Sequence, residues 1–128
     1  VTIAVDAGVL IALLDPDDAH HPAAVEAFAV GTRYLVHPVN LAEALVNPER
    51  AGVGVEAFED FQRFGVIPTS LGPNGPLLLA RIRAKHRLRM PDSCALALAV
   101  GNDIRLITFD KQLASAASTR GLYEPVPV

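Results

Sequence analysis

Short apolar runs without alternation, separated by stretches of helical period, set the pattern of this chain. Ile3, Ala4 and Val5 form the first run. Such a run suits a strand covered on both faces, as in a parallel sheet between helices. It stops at Asp6, Ala7 and Gly8, and residues 9–14 read as the start of a buried helix. Residues 15–18 (DPDD) are a polar break, Pro22 suits a first helical position, and Gly31 ends that helix. Residues 34–37 predict a second strand, 41–46 a helix and 47–54 a loop rich in Asn, Pro and Gly. Residues 55–64 predict a helix whose Phe58, Phe61 and Phe64 face the core, and Val66, Ile67 and Pro68 a short third strand. Then come a helix over 76–87, another from near Pro91, a fourth strand over 104–108 and a last helix over 111–118. Residues 123–126 predict an edge strand weakened by prolines. Strands alternating with helices predict one α/β domain over 1–128 with a mostly parallel sheet.

Composition narrows the class. With 128 residues, 51% of them hydrophobic, the chain is long enough for a packed core. No apolar run is long enough to span a bilayer, and no signal-peptide pattern is visible, so a cytoplasmic protein without a membrane anchor is expected. The single cysteine, Cys94, permits neither an intramolecular disulfide nor a cysteine-rich metal site. The net charge of −3 means that any nucleic-acid binding needs a local basic patch or metal ions.

The candidate chemistry is acidic. Asp6 ends the first strand and Asp110 follows the fourth, in LITFD. Glu43 is expected in the first turn of the helix after strand two, and Asp92 in the first turn of the helix before strand four. In right-handed βαβ units, helix N-termini lie at the same edge as strand C-termini. All four carboxylates therefore map to one edge, where open α/β sheets bind ligands. Clustered carboxylates repel, and a hard cation such as Mg²⁺ or Mn²⁺ is the usual reason to gather them. An ion held there activates water and stabilises charge on a leaving oxygen. Each acid also has a local alternative. Asp6 and Asp110 could cap the helices that follow, Glu43 could complete a capping box opened by Asn40, and Asp92 could answer a helix macrodipole.

These segments resemble PIN-domain ribonucleases, most of all the VapC toxins of toxin–antitoxin pairs. The resemblance rests on VDAGVLIALL, LAEAL, PDSCALALAV and LITFDKQL and runs almost end to end. It implies a three-layer α/β/α domain with strand order 3-2-1-4-5. It also implies Mg²⁺-dependent RNA cleavage, a homodimer, and an antitoxin that blocks the site. Carried over by position, Asp6, Glu43, Asp92 and Asp110 are the acidic quartet, and Thr108 is the supporting hydroxyl. One departure stands out: Gly8 occupies the place, two after the first Asp, where the family usually has Ser, Thr or Asn.

Other residues carry less. His20 and His21 follow two acids, but neighbours on a helix point about 100° apart, so a solvated helix entrance is the simpler expectation. Cys94 reads as a small buried hydrophobe. Arg81, Arg83, Lys85, Arg87 and Arg89 are five of the eleven Lys and Arg residues, and either face solvent or meet RNA phosphates. A receiver domain would need an acid after strand three, and a haloacid-dehalogenase-type phosphatase an Asp in place of Gly8. The remaining rival is a PIN fold that binds RNA or protein without cutting.

Overall fold

The computed structural model describes residues 1–29 and 33–126. The expected helix stop at Gly31 lies outside them. Among the described residues there are four strands: β1 (Thr2–Val5), β2 (Arg33–Val36), β3 (Val66–Pro68) and β4 (Leu106–Ile107). All pairings are parallel, in the order β3-β2-β1-β4. This is the implied order 3-2-1-4. The fifth place is held by one parallel bridge, Leu106 to Tyr123, where Leu106 N–H donates to Leu122 and Glu124 N–H to Leu106. Pro125 has no N–H with which to extend that ladder.

Seven helices among the described residues cover the sheet: α1 (Ala7–Leu14), α2 (His21–Ala27), α3 (Pro38–Arg50), α4 (Gly54–Arg63), α5 (Gly75–Lys85), α6 (Met90–Asn102) and α7 (Lys111–Ser118). Strand alternation divides the core between two layers. Ile3 and Val5 join Val9, Leu10, Leu41 and Phe61 on one face, while Ala4 joins Ile82, Leu96, Leu106 and Leu113 on the other. That double burial explains why β1 lacks a polar face.

Three expectations need correcting. α3 runs on through Pro48 to Arg50, where a loop was expected from Asn47. Pro48 sits near the helix end, where its missing N–H and ring disturb little of the helix beyond it. Phe64 is 48% exposed, unlike Phe61 at 1%. Six residues separate Phe58 from Phe64, which turns Phe64 about 120° off that face. Finally, β4 is shorter than expected, because the chain leaves α6 through Asp103 in the left-handed region (φ 51°) and enters the sheet only near Leu106.

α6 is the central support. Ser93 to Ala99 are all buried, and the small Ala95, Ala97 and Ala99, spread around the helix, let neighbouring elements pack close on more than one side. No helix among the described residues is long and apolar enough to cross a membrane. Leu96→Ala should destabilise the fold by about 2–5 kcal/mol, since a fully buried leucine leaves a cavity. Val55→Ala, at a position 66% exposed, should change stability by less than about 0.5 kcal/mol. Urea unfolding of the two variants measures both.

Candidate functional site: an acidic cavity at the sheet edge

Asp6 leaves β1 in extended conformation and caps α1, its Oδ1 accepting from Val9 N–H at 3.1 Å. Its Oδ2 accepts from the Thr108 hydroxyl at 2.5 Å. Thr108 Oγ1 accepts in turn from Asp110 N–H at 3.1 Å. Asp110 caps α7, with its Oδ1 accepting from Leu113 N–H at 2.8 Å. The capping alternatives for Asp6 and Asp110 thus hold, and they do not exclude a second role. Each carboxylate has further lone pairs beyond those its cap occupies.

The other two acids arrive on helices. Asp92 stands in the first turn of α6, its side chain 16% exposed, and Arg89 Nε approaches its Oδ2 at 3.4 Å. Glu43 departs from expectation. Pro38 opens α3, and His37 is the N-cap, its Nδ1 accepting from Val39 N–H at 3.1 Å. Asn40 therefore opens no capping box, and Glu43 lies in the second turn, exposed. Even so, Asp6, Glu43, Asp92 and Asp110 all line one cavity of about 250 Å³ at the C-terminal edge of the sheet. Thr108 lies buried beneath it.

Two members of this site were not singled out from sequence. Asn40 is 2% exposed, and its Nδ2 donates to the Pro91 carbonyl at 3.0 Å, tying the start of α3 to the start of α6. Its Oδ1 is buried without a hydrogen-bond partner among the described residues. Pro38 at the first helical position was the local signal that Asn40 lies inside a helix. Its partner, 51 residues away, has no local signal. Arg89 was counted with the basic run, yet it lines the acidic cavity.

Among the described residues, no three His, Cys, Asp or Glu side chains stand close enough to form a ready ligand group. The donor chemistry nonetheless suits a hard cation. The cavity offers four carboxylates and carries Asn40, whose amide oxygen is unpartnered, and all of these donors are oxygen. Gly8 opens the cavity wall: a Cβ there would meet Asp6 Oδ1 at 3.7 Å, an ordinary contact.

Burial pushes the Asp6 carboxyl from 3.8 up to about 6. The Thr108 and Val9 hydrogen bonds oppose that rise, and the charges of Asp92 and Asp110 add to it. Because the folded value exceeds the unfolded one, folded protein holds the proton more tightly between about pH 4 and 6. Stability contributed by Asp6 is full below that window and falls as pH rises through it, by about 3 kcal/mol. In metal-free buffer, Asp6→Asn should therefore gain stability relative to wild type from pH 4 to pH 6. Thr108→Val should shift the wild-type window upward by removing a stabilising hydrogen bond to the charged form. Denaturant titrations across pH check both, and parallel curves for wild type and Asp6→Asn would refute the assignment.

Comparison with known proteins agrees with this architecture. No curated protein matches the chain. Among solved structures, VapC20 of Mycobacterium tuberculosis, a sarcin–ricin loop cleaving toxin, is 19% identical, with 98% of this chain and 99% of that one covered and a TM-score of 0.73. A toxin–antitoxin complex from Klebsiella pneumoniae is 18% identical, covers 88% and 90%, and has a TM-score of 0.76. VapBC2 of Rickettsia felis, bound to a promoter DNA fragment, is 9% identical, covers 99% and 100%, and has a TM-score of 0.68. Such distant likenesses speak for the fold. Residues 3–118 match the PIN domain family. The strand order, the acids brought to one edge and this match together place the chain in the PIN domain family.

Proposed function

We propose that this chain is a divalent-metal-dependent endoribonuclease of the VapC toxin type, restrained by a cognate antitoxin. One observation carries the proposal: four carboxylates from four separate segments line a single cavity. Asp6, Asp92 and Asp110 would hold the ion, with Glu43 placed for a bound water or a second ion. Mg²⁺ or Mn²⁺ bound there supplies Lewis-acid activation of water and neutralises charge at the phosphate. Thr108 orients Asp6, and its own position is fixed by Asp110 N–H. The Arg89 side chain is 77% exposed and can turn from Asp92 to the RNA phosphate.

The basic run supports an RNA substrate. Arg81, Arg83, Lys85 and Arg87 are exposed and make no ion pair among the described residues. Arg81 and Lys85 lie four residues apart on α5 and so share a side of the helix, while Arg87 lies in the segment after it. For the partner, the support is that two structural neighbours are described as toxin–antitoxin assemblies. An antitoxin arginine reaching the carboxylates would form charge-assisted hydrogen bonds. The same proposal makes residues 1–128 one domain, acting in the cytoplasm as a homodimer. Exposed Val39 and Val46 on α3 offer apolar surface for such pairing.

A second reading, a PIN fold that binds without cutting, draws on Gly8. Space beside Asp6 stands where the family usually has a polar side chain. Cleavage of a synthetic RNA with and without Mg²⁺ separates the two. Asp6→Asn and Asp92→Asn should each lower the rate by at least about a hundredfold, as loss of a ligand exceeds loss of its supports. Mg²⁺ should raise the melting temperature of the wild type more than that of either variant. Cleavage unaffected by both substitutions would refute the site. Separately, Arg83→Gln with Arg87→Gln should reduce the slope of log Kd against log salt by about 1.4, for two lost single-strand phosphate contacts. An unchanged slope would return the run to solvent.

A further inference from the structure

The acidic cavity has a larger neighbour. A groove of about 420 Å³ lies between the approach to α2, the first turns of α7 and the segment after α7. Ala19, Pro22, Ala23, Ala114 and Tyr123 make its walls largely apolar. It shares Phe109 and Asp110 with the acidic cavity, so the two adjoin. Within it, His20 stacks on Phe109, with ring centroids 4.5 Å apart and planes 11° from parallel. Phe109 is anchored against the core, while His20 is exposed and forms the outer member of the pair.

The fold does not need the His20 ring there. Its loop is held by backbone groups: His20 N–H donates to Asp18 Oδ1 at 2.8 Å, and Ala24 N–H donates to the His20 carbonyl at 2.9 Å. The neighbouring His21 is different, since its Nδ1 lies 2.7 Å from the Ala12 carbonyl and ties α2 to α1. Of the histidine pair, one is structural and the other offers a flat face beside the acids. Lys111, exposed at the groove rim, adds a cation without an ion-pair partner among the described residues.

We propose that this groove is a nucleobase subsite. An unpaired base of the RNA lies on His20, continuing the His20–Phe109 stack, next to the phosphate held at the acids. The proposal rests on the nuclease reading and adds to it a grip on one base flanking the cut. A groove of this volume is in the range that holds small planar ligands. Single-stranded RNA presents such bases, and proteins hold them by stacking on aromatic rings. Lys111 suits the phosphate that comes with the base. The flat stack and the rim cation favour a nucleotide over an apolar protein side chain.

The test uses a single-stranded RNA in which one abasic nucleotide is walked along the sequence, cut by wild type in Mg²⁺. One position beside the cut should lower kcat/KM about tenfold, in line with the loss of one base stack. His20→Ala should lower kcat/KM on intact RNA about tenfold and erase the penalty for that abasic position. Ala23→Phe, which fills the groove from a partly exposed wall, should do the same. A 2-aminopurine at that position should be quenched by wild type and not by His20→Ala. The same abasic profile in wild type and both variants would overturn the subsite and leave the groove to a protein side chain. Absence of any Asp92-dependent cleavage by wild type would overturn the nuclease reading, and the subsite with it.

Discussion

The structure turns on one buried carboxylate. Asp6 sits at the end of the central strand with 6% of its surface exposed, and two hydrogen bonds hold it: one from its own helix, one from Thr108. Burial favours its neutral form, and these bonds favour its charged form. The balance leaves a group that titrates near the edge of the neutral range. A cation beside it would shift that balance toward charge. Positive charge at this edge, such as that of Arg89 beside Asp92, favours the ionised form of these acids, and the cation of the proposed function would act in the same sense.

Much of this was legible in the sequence, for identifiable reasons. The runs that feed β1, β2 and β3 are short and apolar, and parallel strands buried on both faces leave that signature. Given the strands, the handedness of the crossovers puts helix starts and strand ends at one edge, and the acids gather there for that reason. Asp6 and Asp110 proved to be caps as well as cavity residues, so capping a helix does not take an acid away from the shared edge.

What was not legible depends partly on helix limits read too narrowly and partly on partners distant in sequence. Asn40 looked like a cap and is instead a buried strut to Pro91. Glu43 moved into the second turn because helix α3 begins earlier, at Pro38, and the same helix outlasts Pro48 because its proline falls near its end. Arg89 belongs by composition to a basic run and by position to an acidic cavity. The pairing of His20 with Phe109 joins residues that local pattern cannot connect.

The bond from Thr108 to Asp6 closes a loop of 102 positions, and β4 joins β1 on the side opposite β2. A ribosome delivers this chain from the other end. Until Leu106 to Thr108 emerge, the nascent polypeptide has the first acid but neither the strand nor the hydroxyl that fixes it. The acidic edge is thus assembled only after the 102 positions between its two partners have been made. For a protein whose proposed activity destroys RNA, the order of synthesis itself delays the hazard until both partners of that bond exist.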